Sequence, residues 1–471
     1  MLKASFFKNK RVTVFGLGLN MGGIGTVKFL AEQGAREIIV TDIKSRVELG
    51  ASLEKLAKYK NVTYVLGQHR TEDFTNVDMV IKNPIIPWTN EYVKLAKKHK
   101  VPVEMDASIF LALCKAPIIG ITGTKGKTTT ASLCAHILET AKKRVARVGI
   151  GQISVLGNLG KITTDDVVVF ELSSWRLSAL GRSKRSPFLA VLTNIYLDHL
   201  NYYKTMEEYV SDKKNIFLFQ KTRNILVANF DDEAVRATVQ DAKGTIIWFS
   251  QNGEIEGDGV WVKDKKIYVR RQGKEEEFLP LSRVPLKGEH NVANVLAAVS
   301  ATLAYGINLK QIASGIESFP GIPHRLEYVS EKNSVRYYND TTATIPESVI
   351  AALRFFSEPV ILIAGGSDKQ LKFDALAQVI LRRSKGLILL KGAATDKLLR
   401  ALKTHLSAKD KGRQFEVVES MAKAVELASR SAEPGDVVLL SPGAASFGIF
   451  QNEFDRGEQF CKAVNELKSR V

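Results

Sequence analysis

Residues 120–130 read GITGTKGKTTT, and this stretch, between a short apolar strand and a helical pattern, decides the central fold. The usual phosphate loop has a glycine five residues before the glycine of its Gly-Lys pair, where this chain has Ile121. The motif is therefore the shorter form Gly123–Thr128, whose glycines let backbone N–H groups close around phosphate oxygens at a helix start near Lys127. We expect Lys127 to contact the β- and γ-phosphates of a nucleotide and Thr128 to offer a hydroxyl to Mg²⁺. The alternative is a glycine-rich turn with surface lysines.

Polar residues follow two strands of the same unit. Val167–Phe170 is an apolar strand that leads to Glu171, and Leu189–Leu192 is followed by Asp198 and His199. A carboxylate at the end of a parallel strand faces the ligand crevice, and Mg²⁺ prefers oxygen ligands. Glu171 is therefore a candidate metal ligand. For His199, side-chain chemistry alone does not distinguish a structural role from a role in the site.

The composition of the 471-residue chain excludes several classes of protein. Apolar residues make up 45% and charged residues 25%, which excludes a disordered chain. No run approaches the roughly 18–20 apolar residues that cross a bilayer, and the amino terminus lacks a signal-peptide pattern. The three cysteines form no CxxC pair, so we expect neither a disulfide framework nor a zinc finger. Scarce cysteine also predicts that the protein lies in the reducing cytoplasm.

The net charge of +17 has three interpretations. Positive charge can be spread over solvated helices, can attract polyanionic small substrates, or can bind nucleic acid. Nucleic acid ranks third, because no arginine-rich stretch with interleaved aromatic residues is present.

Short β-branched runs alternate with longer helical patterns, which predicts an α/β fold with parallel sheets covered by helices. Three such runs lead into glycine and start three units: Arg11–Phe15, Ile118–Ile119 and Val360–Ile363. Proline-containing seams at 116–117 and 319–323 separate these units. We therefore predict domains at 1–115, 116–320 and 321–471.

Eight motifs, spread in order over the second and third units, together resemble those of the Mur ligase family. They are GTKGKTT (123–129), ELSSW (171–175), TNIYLDH (193–199), GEHNVAN (288–294), GIPHRLE (321–327), YNDTTAT (338–344), AGGSDK (364–369) and LLSPGAASFGIF (439–450). Mur ligases are ATP-dependent amide-forming enzymes of peptidoglycan synthesis. The resemblance implies a Rossmann-like amino-terminal domain that binds a UDP-sugar, a central P-loop ATPase domain with a parallel sheet, and a Rossmann-like carboxy-terminal domain that binds the amino acid.

Within the family, the short amino-terminal domain opening with GLGLNMGG (16–23) and the NDxxAT and SPxxAS motifs resemble those of members that add D-glutamate to UDP-N-acetylmuramoyl-L-alanine. The implied reaction forms an acyl phosphate from ATP and the substrate carboxylate, and an amine then displaces the phosphate. The partners are then these small molecules alone, with no nucleic acid and no membrane span. We expect a monomer that serves cell-wall biogenesis, cell shape and cell division.

The resemblance also implies roles for individual residues of the ATP site. The implied ATP contacts are Gly123, Thr124, Lys125, Gly126, Lys127, Thr128, Thr129, Asn291, Asn294, Arg325 and Asp340. Thr128 and Glu171 would hold one Mg²⁺, and His199 would lie at a second. Lys213 matches a carbamylated lysine through the alignment of Tyr209–Phe217, although its chemistry alone fits a solvated helix lysine. Carbamylation needs a neutral amine and is favoured by nearby cations.

The substrate contacts are implied in the outer domains. Gly16 and Gly18 begin a GxGxxG pattern in which Met21 replaces the third glycine, so the residues alone give only a weak indication of NAD. The resemblance assigns the UDP-substrate to Leu19, Asn20, Asp42, Lys44, Asn83 and Asn158. It assigns D-glutamate to Thr344, Lys369, Ser446 and Phe447, with Lys369 facing the γ-carboxylate. The sequence departs from the family pattern at two positions. Ile85 stands in place of a family glycine, and Thr342 stands in place of a lysine found in many relatives.

Three alternative functions stay open on the sequence. The first is a Mur-type ligase with another amino acid or acceptor. Its folylpolyglutamate synthetase-like form is disfavoured by the 115 residues before the phosphate loop. A nucleic-acid-binding P-loop ATPase predicts nucleic-acid-stimulated hydrolysis and a steep salt dependence. An NAD-dependent dehydrogenase predicts tight nicotinamide binding, which the imperfect glycine pattern opposes.

Overall fold

The computed structural model describes residues 3–19, 21–151, 153–198, 202–286, 288–368, 371–406, 415–446 and 448–467. The chain divides into two compact units, Met1–Phe319 and Pro320–Val471. The first unit holds two sheets and the second holds one, and most neighbouring strands in all three are parallel. The predicted α/β class is confirmed, whereas the exact bounds of three domains stay a prediction.

The first sheet is fully parallel, with the order β3-β2-β1-β4-β5. Its strands are β1 (Arg11–Phe15), β2 (Glu37–Asp42), β3 (Val62–Leu66), β4 (Met79–Lys82) and β5 (Val103–Glu104). The accompanying helices are α1 (Met21–Glu32), α2 (Gly50–Glu54), α3 (Glu72–Thr75), α4 (Glu91–Lys98) and α5 (Asp106–Leu113).

The glycines after β1 serve a tight turn and close packing. Gly16 and Gly18 have φ of +87° and +67°, which only glycine adopts without strain. A Cβ at Gly23 would lie 2.1 Å from the carbonyl oxygen of Leu17, so glycine there lets α1 approach the strand end. Packing by itself therefore accounts for part of the GLGLNMGG pattern.

The second sheet has nine strands in the order β14-β13-β12-β11-β10-β9-β6-β8-β7. They are β6 (Ile118–Thr122), β7 (Arg144–Val148), β8 (Asp166–Glu171), β9 (Leu189–Leu192), β10 (Ile225–Asn229), β11 (Thr245–Ser250), β12 (Gly259–Lys263), β13 (Lys266–Arg271) and β14 (Lys274–Pro280). The helices are α6 (Lys127–Thr140), α7 (Ser174–Ser183), α8 (Met206–Lys214), α9 (Glu233–Thr238), α10 (Glu289–Ala304) and α11 (Leu309–Glu317). Short 3-10 helices lie at Ala4–Phe7, Leu159–Lys161, Val239–Asp241 and Leu281–Arg283.

The far edge of this sheet is antiparallel, in contrast to the parallel sheets predicted from the sequence. β12, β13 and β14 are joined by two-residue turns at 264–265 and 272–273. All four turn residues have positive φ. Such turns match the twist of antiparallel strands and close hairpins.

The second unit carries a six-stranded sheet in the order β15-β16-β20-β17-β18-β19, antiparallel only between β15 and β16. Its strands are β15 (Glu327–Lys332), β16 (Val335–Asn339), β17 (Val360–Gly365), β18 (Ser384–Leu390), β19 (Glu416–Val418) and β20 (Val437–Leu440). Its helices are α12 (Pro346–Phe355), α13 (Asp374–Arg383), α14 (Ala393–His405), α15 (Met421–Ser431) and α16 (Glu453–Glu466).

The two sheets of the first unit share one apolar cluster. The ring of Phe110 on α5 packs edge-on against Phe170 on β8, with centroids 5.2 Å apart. Arg176 on α7 lies 3.2 Å from the carboxylate of Asp106 on α5. These contacts make the first two sheets parts of one compact unit. Among the described residues, no helix combines the length and apolarity needed to cross a membrane.

Candidate active site

The centre of the second sheet presents three strand ends side by side. β6 lies between β9 and β8, with Ile121 in register with Glu171. The loop after β6 therefore starts next to Glu171, and α6 begins at Lys127 after Gly126, whose φ is +82°. The arrangement agrees with the predicted strand, loop and helix of a phosphate-binding motif.

Asn194, which follows β9, holds the phosphate loop in shape. Its Oδ1 accepts hydrogen bonds from the backbone N–H groups of Thr124, at 3.0 Å, and Lys125, at 2.8 Å. A Cβ at Gly123 would lie 1.9 Å from Oγ1 of Thr193, so the neighbouring strand end also packs tightly against the loop. No local pattern assigns this role to Asn194, because its partners lie 69 and 70 residues away.

Two lysines meet at the carbonyl oxygen of Gly123. Lys127 Nζ donates to this oxygen at 3.1 Å and to the Thr124 carbonyl at 2.9 Å. Lys213 Nζ donates to the same Gly123 oxygen at 2.7 Å, and the Lys213 residue is only 1% exposed. Burial lowers the pKa of Lys213 well below its ordinary value, Lys127 lowers it further, and Asp198 opposes the shift. Lys213 is therefore a buried amine, in contrast to the solvated helix lysine that its chemistry alone had suggested.

The donor set around the loop suits a hard cation. Thr128 lies half-buried in the first turn of α6, and Glu171 ends the adjacent strand β8. A hydroxyl and a carboxylate are oxygen ligands of the kind Mg²⁺ takes, and this ion keeps several waters. In the described part of the chain no three His, Cys, Asp or Glu residues cluster as a metal site. His199 lies outside the described residues.

The helix α10 packs its two predicted asparagines towards the loop. Asn294 is 5% exposed, and its Oδ1 accepts a hydrogen bond from Thr130 Oγ1 at 3.4 Å. A Cβ at Gly126 would lie 2.0 Å from the same Oδ1. Asn294 Nδ2 donates to Asn291 Oδ1 at 3.0 Å. The pair therefore supports the phosphate loop. Its contact with ATP stays a prediction. The roles of Lys125 and of the buried Thr129 in ATP binding also stay predictions.

At the edge of the first sheet, Asp42 organises the glycine turn. Its carboxylate accepts from the backbone N–H of Gly18 at 3.0 Å and from that of Lys44 at 2.9 Å. Asn83, after β4, donates from Nδ2 to the Gly16 carbonyl at 3.2 Å. The structure thus brings Asp42, Lys44 and Asn83 to one edge, where Leu19 is 39% exposed. Asn20 lies outside the described residues.

The segment before Asn158 packs against the amino-terminal part of the unit. A Cβ at Gly25, on α1, would lie 1.7 Å from Ser154 Oγ. Asn158 itself is exposed and precedes a short 3-10 helix. Its assignment to the UDP-substrate stays a prediction.

In the second unit, Asp340 is buried at the end of β16. Ser441 Oγ donates to its Oδ2 at 2.8 Å, and the Leu326 N–H donates to its Oδ1 at 3.2 Å. Burial raises the pKa of Asp340 to about 6, although these two hydrogen bonds and Arg325 oppose the rise. Arg325 is exposed. Thr342 donates from Oγ1 to the His324 carbonyl at 2.9 Å.

The predicted D-glutamate residues follow two adjacent strands of this sheet. Thr344 is half-buried in the loop after β16, and Ser446 is 3% exposed in the loop after β20. These strands are parallel neighbours, so both loops leave the same edge of the sheet. Lys369 and Phe447 lie outside the described residues.

Three family models match the chain in order. They are the Mur ligase MurD-like amino-terminal domain at 10–104, the Mur ligase middle domain at 121–302 and the Mur ligase glutamate ligase domain at 324–443. A curated relative from Roseiflexus sp. (strain RS-1) is 41% identical over 97% of this chain and 99% of its own length. The chain belongs to the Mur ligase family. The resemblance proposed from the motifs is confirmed.

That relative is named UDP-N-acetylmuramoylalanine--D-glutamate ligase, as is one from Acetivibrio thermocellus, 35% identical over 98% of this chain and 97% of its own length. Among solved structures, the Mur ligase MurC from Thermotoga maritima has a TM-score of 0.60 and 18% identity, covering 98% of this chain and all of that one. MurF from Acinetobacter baumannii has a TM-score of 0.56 and 16% identity over 94% of this chain and 90% of that one. These structures confirm the Mur ligase fold.

Mur ligases are ATP-dependent ligases, and this chain is therefore an enzyme of that class. The three matched domains agree with the Rossmann-like, P-loop and Rossmann-like order expected from the motifs. Family membership also removes the NAD-dependent dehydrogenase from consideration. The roles of the individual site residues stay predictions.

Proposed function

We propose that this chain joins D-glutamate to UDP-N-acetylmuramoyl-L-alanine with ATP, in cytoplasmic peptidoglycan precursor synthesis. One observation carries this proposal: relatives of nearly the same length, up to 41% identical, bear the name of that ligase. The MurD-like amino-terminal model supports the same member of the family over the other Mur ligases.

The proposed reaction has two steps. A carboxylate oxygen of the UDP-substrate attacks the γ-phosphorus of ATP, which forms an acyl phosphate and releases ADP. The amine of D-glutamate then attacks the acyl carbon, so that a C–N bond forms while phosphate and a proton leave. The carboxylate and the triphosphate repel each other, and this repulsion sets the main requirement for the site.

The phosphate loop meets that requirement with positive groups. Lys127 and the N–H groups at the start of α6 would contact the phosphate oxygens of bound ATP, for which Lys127 would exchange its two loop carbonyls. Bound Mg²⁺ would neutralise further phosphate charge, with Thr128 and Glu171 as its protein ligands and His199 at a second ion.

We also propose that Lys213 carries a carbamate in the active enzyme. Its Nζ is buried beside Lys127, and the neighbouring cation favours conversion of an amine into an anionic group. Incubation with ¹³C-bicarbonate is expected to give a carbamate carbon signal in the NMR spectrum of the wild type. The Lys213→Arg variant is expected to lack the signal, and a signal of equal size in both proteins contradicts the assignment.

The test of the function is phosphate release with UDP-N-acetylmuramoyl-L-alanine and a panel of L- and D-amino acids. We expect turnover with D-glutamate and formation of the amide product by mass spectrometry. Turnover with a different amino acid supports a ligase of another specificity instead. Hydrolysis of ATP without any amide, stimulated by nucleic acid, would overturn the ligase proposal.

Specificity for D-glutamate is expected to depend on Lys369. Lys369→Ala is expected to raise the KM for D-glutamate by about tenfold or more, because a desolvated γ-carboxylate loses its cationic partner. The KM for ATP is expected to stay the same. Steady-state kinetics with each substrate varied in turn give both values, and an unaltered KM for D-glutamate removes Lys369 from the site.

The proposal includes a monomer without a nucleic-acid partner. Light scattering at several protein concentrations measures the mass directly. Addition of duplex or single-stranded DNA is expected to leave the ligation rate unchanged.

A further inference from the structure

A buried arginine in the second unit stands outside every role considered above. Arg456 lies in the first turn of α16 and has no exposed surface. The described residues give it no salt bridge, and burial lowers its pKa to about 10, although Glu453 opposes the shift. A buried charge without a counter-ion is costly unless its donors are satisfied. The positions of its hydrogen bonds therefore show what holds it in place.

The guanidinium group bridges two loops. Nε donates to Thr341 Oγ1 at 3.0 Å, and Nη2 donates to the Thr341 carbonyl at 2.8 Å. Nη1 donates to the Ala444 carbonyl at 3.2 Å. Thr341 belongs to the loop that follows β16, and Ala444 belongs to the loop that follows β20. One planar group thus fixes the spacing between the two loops.

The helix approaches these loops unusually closely. A Cβ at Gly457 would lie 2.5 Å from both Thr341 Cγ2 and His324 Nδ1. Thr341 Oγ1 in turn donates to the Glu453 carbonyl at 2.7 Å. The Arg456–Gly457 pair therefore sets α16 tightly against the turn after β16.

The bridged loops are the ones that carry the residues assigned to the amino acid. Thr344 is three residues from Thr341, and Ser446 is two residues from Ala444. We propose that Arg456 is a positioning residue for the amino-acid substrate, holding the two loops at the spacing that binds it. This inference rests on the proposed function. A lysine cannot replace the arginine, because only the planar fork reaches three acceptors at once.

The experiment compares steady-state kinetics of the wild type, Arg456→Lys and Arg456→Ala with all three substrates. Both variants are expected to raise the KM for D-glutamate by about tenfold or more, since buried charged hydrogen bonds are lost. The KM for the UDP-substrate is expected to stay the same, because none of its assigned contacts lies in these loops. Guanidinium ion at millimolar concentration is expected to restore part of the D-glutamate affinity of Arg456→Ala but not of Arg456→Lys.

Arg336→Met is the matched control, because Arg336 pairs with Glu358 at 2.7 Å in the same unit and touches neither loop. It is expected to keep the D-glutamate KM of the wild type. Should Arg456→Ala fail to fold, Thr341→Val tests the same bridge, since it removes the Oγ1 acceptor at nearly constant volume. Thr341→Ser, which keeps that acceptor, is expected to rescue the D-glutamate KM.

Two results would overturn the inference. One is a D-glutamate KM of wild-type value in Arg456→Lys and Thr341→Val. The other is a parallel rise of all three KM values without guanidinium rescue, which indicates a general structural role. If the wild type itself rejects D-glutamate, the proposed function fails separately. The series is then judged on the KM of the amino acid that the panel identifies.

Discussion

The side chain of Lys127 lies along the phosphate loop. Its ammonium group donates to the carbonyls of Gly123 and Thr124, so it already points along the loop. Lys127→Ala is expected to abolish ATP-dependent ligation while leaving the fold intact, because the triphosphate loses its main cationic contact. Phosphate release measures activity, and circular dichroism checks the fold.

Lys143→Ala is the control for this variant. Lys143 is an exposed lysine three residues after the end of α6, outside the phosphate loop. We expect wild-type turnover from it. Unchanged turnover of Lys127→Ala itself would refute the assigned role.

Asp340 is a residue at which stability and activity oppose each other. Its pKa of about 6, raised by burial, lies above the value near 3.8 of a free carboxyl. Between these two values the folded protein binds more protons than the unfolded chain, so stability falls as pH rises through this window. Above pH 6 the ionised carboxylate costs the fold about 2–3 kcal/mol.

Asp340→Asn is therefore expected to raise stability at pH 7.5 by about 2 kcal/mol and to remove the loss between pH 4 and 6. Ligation is expected to fall, because the assigned ATP contact needs a carboxylate. Thermal melting across this pH range gives the stability. Asp374→Asn, at a side chain 70% exposed, is expected to change neither quantity. A variant that melts earlier than the wild type at pH 7.5 contradicts this account.

At the scale of elements, one tryptophan joins the two sheets of the first unit. Trp88, between β4 and α4, donates from Nε1 to Ser178 Oγ on α7 at 2.7 Å. Three cations lie over its ring, namely Lys82 at 4.5 Å, Lys97 at 4.9 Å and Arg182 at 4.2 Å from the centroid. The indole therefore combines a hydrogen bond and cation–π contacts at one junction.

Trp88→Phe keeps an aromatic ring but removes the donor. We expect a loss of about 1 kcal/mol in the free energy of unfolding, the usual net value of one such bond. A double-mutant cycle with Ser178→Ala isolates the pair, and a coupling of about 1 kcal/mol is expected. Urea denaturation measures the free energies of unfolding. If the effects of the two substitutions are fully additive, the hydrogen bond contributes nothing to stability.

At the scale of the whole molecule, the second unit has the parts of an independent domain. Along β17, Leu362 belongs to one apolar cluster and Ile361 and Ile363 belong to another. The alternation shows that both faces of its sheet are buried within the unit, as expected for a parallel sheet. Among the described residues, both clusters consist of residues of the second unit.

A fragment of residues 320–471 is therefore expected to fold by itself. Its size is that of an ordinary domain, and it retains a complete sheet with two cores. We expect a cooperative thermal transition and mixed helix and strand signals by circular dichroism. A fragment without a cooperative transition shows that the unit depends on the rest of the chain.

Much of the fold was predictable where the signal is local. The strands Arg11–Phe15 and Leu189–Leu192 and the helix start at Lys127 agree with the structure, since apolar runs and glycines act within a few residues. The hairpins β12–β14 and β15–β16 were missed, although their turns had a local signal. Asp264, Gln272-Gly273 and Asn333 are residue types that favour such turns, and three such pairs in sequence could have indicated antiparallel strands.

In the candidate site too, features with a local sequence signal were predictable, and contacts between distant residues were not. The sequence alone determined the phosphate loop, the acid at the end of β8 and the family, because these lie in contiguous motifs. Only the tertiary structure decided that Asn194 holds the loop, that Lys213 is buried against Gly123 and that Arg456 joins two loops. The Lys213 and Arg456 bonds span 90 and 115 residues. Burial and contact at such separation depend on how strands and helices pack. The residue type of a lysine, asparagine or arginine does not show whether its side chain is solvated or buried in the core.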